Sequence, residues 1–529
     1  MAHTPTTTPT YRLEAFSDVG LDEALLKLAI DEHARAVPRL NQLWTYYRNP
    51  LQPVGTAGWS ETSRVGRWYR QPQEHGLPSR IVGRAGSTTT IDDKAAGRRE
   101  VVIENDIAWR VQAMVDFMFG KPVSMISTAA DETQRRTIER VLDKVWEQSG
   151  GIALLQDAAL LGHVFGHVDL MVRVDEDGLR GAVQSENRKA KSDNGGAEAE
   201  AEALALLAAE HIRIEVIEPR RGIPILDEHD YRRLKAYIIH YTRDANAPQR
   251  ASILERLLPR FSFSPQSRRD KVTVTEVISH SAWQVYEDGR LIWSQESDFH
   301  TGPTGGQLPV VHIQNLAQPF EYEGLSEVEP LIPLQDELNT RLSDRASRVT
   351  LQNFKMYLAK GIDGFEKMPI GPGQLISTDN PDATIQEFGG DAHSPSEESH
   401  IQQIRDALDK TSGIPPLASG VIQAKIGNLS SANALRVTLM GVLSKTARKR
   451  VTYGGGIARV CSLILAALHH AGAFATREQD RGVRLTWPDP LPEDVREMIF
   501  AAEAKAKLGV PPERVLAELG YAPTDPGIA

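Results

Sequence analysis

Several features that would indicate a common activity are scarce or missing in this sequence of 529 residues. It holds one cysteine, Cys461, which excludes an internal disulfide and a cysteine-rich zinc site and fits a reducing compartment. The only Gly-Lys pair, Gly120-Lys121, lacks the preceding glycine and the following hydroxyl residue of a phosphate-binding loop. The sequence therefore indicates neither a disulfide-bonded fold nor a nucleotide-hydrolysing motor.

Long hydrophobic runs and an excess of positive charge are also missing. The most apolar run, Val460 to Leu468, is much shorter than the roughly 20 residues that a membrane span needs. The first eleven residues carry neither a basic nor an apolar signal segment. Sixty basic against seventy acidic residues give a formal net charge of -10, the wrong sign for gripping DNA phosphates. We expect a soluble protein with no membrane partner that is not a conventional DNA binder.

The sequence also offers no recognisable catalytic pattern. His163 and His167 stand four residues apart, but a metal pair at this spacing needs a continuing helix and a further ligand, and glycines interrupt the segment. Acidic pairs that could hold Mg²⁺ have no supporting pattern and are typical of solvated turns: Asp175/Asp177, Asp227/Asp230 and Asp489/Glu493. We therefore predict a non-enzymatic chain with no catalytic residues, no cofactor and no metal site.

The first part of the chain combines helices and strands. Apolar spacing predicts helices at 21–43, 132–148 and 152–161, and one that ends before Gly120 and Pro122. Strands are predicted at 168–174, 212–217, 234–241 and 272–278, followed by a hairpin of 282–286 with 290–293 across Asp288-Gly289. Between them, 180–210 changes composition, which predicts a flexible polar insertion followed by a solvated Ala/Glu helix.

The stretch from Gly324 to Gly472 is organised differently. A long amphipathic helix is predicted from Leu331 to Val349, and a second helix follows a capping box at Ser394. About forty residues between them contain short strand candidates near 354–358, 374–377 and 384–388. A Pro-Pro loop then leads into another long helix, which Gly454 to Gly456 are expected to interrupt with a kink or a close contact. The fold class predicted is α+β.

The order of these elements resembles the portal proteins of long-tailed bacteriophages, which connect head to tail. Each motif alone has low specificity, and the resemblance rests on the order in which the motifs follow one another along the chain. The matching stretches are Tyr46-Tyr47-Arg48, Phe119-Gly120-Lys121-Pro122-Val123, Pro309 to Asn315, Tyr322 to Ser326, Leu334 to Asn339, Gly427 to Ser430 with Ala434-Leu435, and Trp487 to Pro490. Two features depart from the family pattern, namely Ser431-Ala432-Asn433 in place of Ser-Gly and the segment 180–210.

The resemblance implies a portal-like division of the chain. The implied fold has long stem and wing helices, a small α/β clip insert, a β-containing wing and a helical C-terminal crown. The implied parts are an N-terminal wing (1–320), stem helix 1 (321–349), clip (350–393), stem helix 2 (394–413), tunnel loop (414–430), a long kinked wing helix with further wing (431–486), and crown (487–529).

The resemblance also implies a function. Family members form a ring, commonly of twelve copies, at one capsid vertex, through which double-stranded DNA is packaged and ejected. The implied partners are further copies of the chain, DNA, the terminase large subunit, a head–tail connector, scaffold and the major capsid protein. The implied location is the virion, after assembly in the host cytoplasm.

Three groups of residues follow as candidate sites. The expected DNA-facing residues of the tunnel loop are Gln423, Lys425, Asn428 and Ser430, and the expected docking residues of the clip are Lys360, Asp363, Glu366 and Lys367. The wing helix carries a basic cluster that either tunes the repulsion of DNA or forms ion pairs between subunits: Lys445, Arg448, Lys449 and Arg450.

Two other classes of function stay open at this point. One is a metal-dependent nucleic-acid enzyme that would use scattered carboxylates such as Asp227 and Asp489. The other is a capsid adaptor that forms no channel.

Overall fold

The structure, a computed structural model, describes residues 11–53, 69–82, 100–189, 197–244, 271–296, 307–353, 356–360, 380–388, 394–420, 432–491, 495–509, 512 and 515. The chain divides into two compact units. Unit 1 comprises Met1–Trp44, Arg110–Val328 and Ile414–Ala529, and unit 2 comprises Thr45–Trp109 and Glu329–Gly413. Residues 45–109 thus group with the predicted stem and clip, whereas the sequence had suggested a continuous N-terminal wing over 1–320.

Unit 1 is built on two antiparallel sheets. The larger has the strand order β10-β9-β8-β7-β6, and the smaller has the order β11-β4-β5. The strands are β4 (His167–Val174), β5 (Ile212–Ile217), β6 (Gly222–Leu226), β7 (Leu234–Asp244), β8 (Lys271–Ser279), β9 (Ala282–Glu287), β10 (Arg290–Glu296) and β11 (Val310–Gln314). Asp288 and Gly289 turn the β9–β10 hairpin with φ of 47° and 77°, which matches the predicted tight turn.

Helices cover the small sheet and form the main core of unit 1. They are α4 (Glu132–Ser149), α5 (Gly151–Phe165), α6 (Glu176–Lys189), α7 (Ala197–Ala209) and α11 (Met440–His470). Two further helices are α10 (Ala432–Thr438), directly before α11, and α12 (Val495–Lys507), after β14 (Val483–Thr486). β14 pairs with β3 (Ser124–Ser127). The longest of them, α11, buries Ile457, Val460, Ile464 and Leu468 in a cluster with β4 and β11 residues. The interior of unit 1 is therefore organised around α11.

Two glycines let α11 approach its neighbours closely. A Cβ on Gly456 would stand 2.4 Å from a side-chain carbon of Ile313 on β11, and one on Gly162 of α5 would stand 2.0 Å from the Tyr453 hydroxyl. Hydrogen bonding in α11 continues through Gly454 to Gly456, so the predicted interruption is wrong and the alternative of a close contact holds. The break lies instead at Leu439, between α10 and α11.

The helices α5, α6 and α7 also differ from the predicted ones in their bounds or their burial. α5 continues through Gly162 and ends at Gly166, because packing outweighs the modest helix penalty of glycine. The first residues of the predicted flexible segment, 180–189, are helical as part of α6, in which Ala182 is buried. α7 is helical as predicted but is not fully solvated, since Ala205, Ala208 and Ala209 join the core.

Unit 2 contains the predicted helix–strand–helix stretch. α8 (Ile332–Asn353) and α9 (Pro395–Ser412) pack together, and between them β12 (Met356–Lys360) pairs antiparallel with β13 (Thr384–Phe388). A 3-10 turn at Glu329–Leu331 precedes α8, because Pro330 and Pro333 lack the backbone N–H that a regular helix uses. Ser394 caps α9 without a side-chain hydrogen bond, so the predicted capping box does not form. The strand predicted at 374–377 lies outside the described residues.

The rest of unit 2 comes from the N-terminal part of the chain. α1 (Glu23–Arg48) and α3 (Asp106–Phe119) each have residues in both units. Between them lie the short pair β1 (Gln52–Pro53) and β2 (Tyr69–Arg70) and the short helix α2 (Ser79–Val82). An extended segment at residues 100–105 leads into α3.

Candidate functional site

The basic side chains predicted on α11 divide into buried and exposed members. Lys445 and Lys449 both pair with Glu327, and Lys449 Nζ lies 2.6 Å from Glu327 Oε1. Arg450 donates to the Pro488 carbonyl at 3.0 Å, and its guanidinium lies 5.1 Å from the Trp487 ring centroid. Arg448 is the exposed one. Three of the four predicted residues are thus held within the chain.

The pairing with Glu327 follows from helix geometry. Residues four apart on a helix lie one turn apart on the same face, so the ammonium groups of Lys445 and Lys449 converge on the two carboxylate oxygens. The side chain of Lys449 is 0% exposed and that of Glu327 is 6% exposed. Glu327 N–H also donates to the carbonyl of His163 at 2.8 Å, which ties the cluster to the end of α5. We call Glu327, Lys445, Lys449 and His163 the anchor cluster.

Burial and charge shift the pKa values in the anchor cluster. Burial alone would raise the pKa of Glu327, but Lys449 and Lys445 outweigh it and lower that pKa to about 2. Burial lowers the pKa of Lys449 to about 8, against the opposing effect of Glu327. One carboxylate serves two ammonium groups, so the second ammonium is incompletely compensated. Burial also lowers the pKa of His163 well below its usual value, which keeps this imidazole neutral.

A second buried network lies on strands β4 and β11 of the small sheet. The carboxylate of Asp169, on β4, accepts from Tyr237 at 2.6 Å, Tyr322 at 2.8 Å and His312 Nδ1 at 2.7 Å. His312 Nε2 lies 2.7 Å from the Tyr322 carbonyl, so both ring nitrogens face acceptors. Burial would raise the pKa of Asp169, but His312, His167 and the Tyr237 hydroxyl group hold it below its usual value. This network fixes the segment that follows β11.

Together these networks position residues 314–328 without offering a reactive group to solvent. Each buried charge faces an opposite charge or hydrogen-bond donors, as charge burial requires. Among the described residues, no group of three or more His, Cys, Asp or Glu side chains is placed to hold a metal ion. The arrangement suits a structural role, in which the two networks hold residues 314–328 against α11 and α5.

The carboxylates considered for a metal-dependent enzyme are engaged separately. Asp227 Oδ1 accepts the amide of His229 at 2.9 Å in a local turn, and this bond lowers the pKa of Asp227. Asp489 accepts from Arg436 and from the amide of Leu491. His163 and His167 are both buried, but His163 ends a helix whereas His167 begins β4.

A ladder of neutral side chains in unit 2 was not anticipated from the sequence. Four residues of α8 accept backbone amides of the extended segment 100–106. The contacts are Gln335 to Asp106 (3.0 Å), Asn339 to Glu104 (3.0 Å), Ser343 to Val102 (3.0 Å) and Ser347 to Glu100 (3.1 Å). Four helix residues rise about 6 Å and two extended residues span about 6.6 Å, so the two repeats stay in step. We call these four residues the α8 ladder.

The other predicted site residues are mostly outside the described residues. This applies to the tunnel-loop residues Gln423, Lys425, Asn428 and Ser430 and to the clip residues Asp363, Glu366 and Lys367. Lys360 is described, and it is exposed at the end of β12.

One described helix, α11, is long and apolar enough to cross a membrane by length and composition alone. The nine-residue run considered in the sequence was too short, but a window of 18 residues passes. More than half of that window is buried inside unit 1, where α11 packs on β4 and β11. We therefore interpret α11 as a core helix.

Comparison with known proteins gives one family. The family model described as phage portal protein, SPP1 Gp6-like, matches residues 26–520. Two similar solved structures are the virion of a native gene transfer agent particle and the neck of an empty gene transfer agent particle computed with C6 symmetry. Each has 13% identity and a TM-score of 0.39 over 79% of this chain and 90% of the other. A comparison with curated proteins finds no match.

Proposed function

We propose that this chain, which belongs to the SPP1 Gp6-like family of phage portal proteins, forms a ring at a capsid vertex through which double-stranded DNA enters and leaves the particle. The observation that carries the proposal is the family match over residues 26–520. The family is structural rather than catalytic. A ring of twelve copies, as in the family members that the sequence resembles, is the expected assembly.

The charge distribution supports a passage that does not hold DNA. Each Lys or Arg contact with phosphate strengthens binding, and such contacts along a channel would retain the moving polyanion. The chain has a formal net charge of -10. On α11, Lys445 and Lys449 are already engaged by Glu327, which leaves Arg448 as the exposed member of the predicted basic cluster.

The order of elements in unit 2 supports a stem and clip. α8 and α9 are packed helices, and the β12–β13 pair lies between them in sequence. We assign the helices to the stem and residues 350–393 to the clip, where the terminase large subunit and later a head–tail connector would dock. Lys360, Asp363, Glu366 and Lys367 are the proposed docking residues, and scaffold and major capsid protein are the other proposed partners in the virion.

The ring is tested by imaging. Negative-stain microscopy and native mass spectrometry of the purified protein should show closed rings of defined copy number. A chain that stays monomeric over a wide range of concentration and salt would overturn the proposal.

The passage is tested separately by removing the proposed tunnel loop, residues 414–430. We expect the deletion variant to form rings but to fill capsids with DNA poorly, because the loop is assigned to the bore. A control variant with Lys360→Ala keeps the loop and should affect terminase binding instead. Normal packaging by the deletion variant would exclude its assigned role, and a capsid adaptor without a channel would then explain the data better.

A further inference from the structure

In the loop after β11, an aromatic side chain is exposed to solvent and its backbone has an unfavourable conformation. Phe320 is 83% exposed and has φ of 68°. A bulky residue in the left-handed region is a conformational outlier, and such strain persists only where the surroundings impose it. Exposing a phenyl ring forgoes the gain from its burial as well. Within the chain the phenyl ring contacts the Tyr231 ring, with centroids 5.9 Å apart, and most of its surface stays exposed.

Side chains on both sides of Phe320 hold the loop in place. Gln314 Nε2 donates to the carbonyl groups of Glu321 at 2.8 Å and Tyr322 at 3.2 Å. The Tyr322 ring stacks on His312 with centroids 3.7 Å apart, and its hydroxyl is held by Asp169. Phe320 is thus presented on a fixed loop and loses little further conformational entropy when a partner covers it.

A complementary surface lies on α11. Met440, Ser444, Ala447, Val451 and Gly455 are all exposed and recur at helical spacing. We call them the α11 stripe. Met440 is 64% and Val451 is 75% exposed, and a Cβ at Gly455 would meet nothing within 4 Å. Two small residues, Ser444 and Ala447, stand between the larger Met440 and Val451, so the middle of the stripe carries little side-chain bulk.

The α11 stripe cannot receive Phe320 of its own chain. The opposite face of α11 carries Lys449, which contacts Glu327, and Gly456, which packs against Ile313 of β11. The stripe is therefore turned away from β11 and from the loop that follows it. Charge complementarity between the α11 stripe and the Phe320 loop favours another copy of the same chain as the partner that covers the stripe. Exposed Arg448 and Arg459 flank the stripe and form no ion pair among the described residues, and exposed Glu321 follows Phe320.

We propose that Phe320 of one copy packs into the α11 stripe of the next copy around the ring. The contact joins two different surfaces, which is the head-to-tail arrangement that closes into rings rather than two-fold dimers. Glu321 would then lie near Arg448 or Arg459 of the neighbour. This inference rests on the proposed ring and adds the surfaces that form it.

Cysteine cross-linking tests the contact directly. The native Cys461 is buried and its pKa is raised by burial to about 12, so it will not compete. In a variant with Phe320→Cys and Ser444→Cys, oxidation of assembled rings should give a ladder of covalent oligomers. The matched control combines Phe320→Cys with Glu132→Cys, whose native side chain is 71% exposed on α4 of the same unit. That control should stay uncrosslinked.

A second variant, Phe320→Gly, separates assembly from folding. Glycine tolerates a positive φ, so the thermal unfolding midpoint of the unassembled chain should stay equal or rise. The subunit concentration needed for rings should increase by about 30-fold, as for loss of an aromatic hot spot. Rings that form normally in this variant, or that resist cross-linking in the cysteine pair, would overturn the contact and assign Phe320 to another partner. Absence of rings even in the unmodified chain would overturn the proposed function together with this contact.

Discussion

The two units bury polar groups in opposite ways. Unit 1 places charge in its interior, where Glu327 meets Lys449 with both side chains at most 6% exposed. Unit 2 buries neutral amides and hydroxyl groups, with Gln335, Asn339 and Ser343 of the α8 ladder fully buried. Its described ion pairs range from the exposed pair of Arg345 with Glu398 to the less exposed pair of Arg348 with Glu397, and Asp106 is a buried acidic side chain.

This difference determines how each unit responds to change. Removing one partner of a buried ion pair leaves a charge in a low-dielectric interior, which costs more than a lost neutral hydrogen bond. A charged anchor also titrates, whereas amide and hydroxyl side chains do not. We therefore expect unit 1 to be sensitive to single substitutions and to pH, and unit 2 to lose stability in small, additive steps.

The largest expected effect is that of Glu327→Gln. The change leaves Lys445 and Lys449 without their carboxylate, and we expect the opening free energy of α11 to fall by about 3–5 kcal/mol. Hydrogen exchange of α11 amides, followed by mass spectrometry, measures this quantity within unit 1.

Two further variants define the origin of that loss. In the unassembled chain, Glu321→Gln, at an exposed position, should change the same free energy by no more than about 0.5 kcal/mol. Adding Lys449→Met to Glu327→Gln should restore part of the stability, because the uncompensated ammonium is removed. A loss below about 1 kcal/mol for Glu327→Gln would contradict the contrast between the units.

The second effect is that of Asn339→Ala in the α8 ladder. Asn339 Oδ1 accepts from Glu104 N–H and Gln335 Nε2, and its Nδ2 donates to Gln73 Oε1, each at 3.0 Å. Loss of these bonds leaves buried groups unsatisfied, so the opening free energy of α8 should fall by about 1–3 kcal/mol. Ser347→Ala, at the less buried end of the ladder, is the matched control and should cost less. An Asn339→Ala effect as large as that of Glu327→Gln would remove the distinction.

The sequence predicted these two regions unequally well. The apolar repeat Leu331, Leu334, Leu338 and Leu342 located α8, and alternation located most strands, because both patterns are local. The α8 ladder also leaves a local signal, since 335, 339, 343 and 347 are polar and uncharged at intervals of four. An amphipathic-helix pattern is defined by its apolar and charged positions, so it does not reveal this neutral polar repeat.

The anchor cluster leaves a weaker signal. Lys445 and Lys449 belong to the predicted basic cluster of four residues, but their partner Glu327 is more than one hundred residues away in sequence. Only the packing of α11 against the chain after β11 brings the three together. The same packing explains why Gly456 accommodates Ile313 inside an unbroken helix, where local glycine propensity predicts an interruption.

The third effect concerns pH. Burial lowers the pKa of His167 to about 4, against an unfolded value near 6.5. The unfolded chain therefore binds more protons below pH 6.5, so unit 1 should lose about 1 kcal/mol between pH 7.5 and pH 6 from this group. Glu327 keeps its full contribution in that range, because its stabilisation is lost only as pH falls from about 4.5 toward about 2.

The α8 ladder provides the internal reference for the pH effect. Its side chains carry no titratable group, so the opening free energy of α8 should change little between pH 7.5 and pH 6. Hydrogen exchange at both pH values, corrected for the intrinsic exchange rate, compares α8 with α11 in one sample. His167→Gln should reduce the change with pH in the opening free energy of α11. An equal change with pH in both helices would show that the contrast between the units does not depend on buried histidine.

The smallest effect tests whether burial or the mere presence of charge decides the outcome. Arg345 lies 3.4 Å from Glu398 in unit 2, with side chains 42% and 46% exposed, so Arg345→Gln should lower the opening free energy of α8 by at most about 0.5 kcal/mol. Arg348→Gln removes the pair with Glu397, whose side chains are less exposed, and should cost more. Added salt should abolish the Arg345 effect first, because exposed pairs are screened most strongly. If Arg345→Gln instead approached Glu327→Gln in magnitude, charge itself rather than its burial would distinguish the two units.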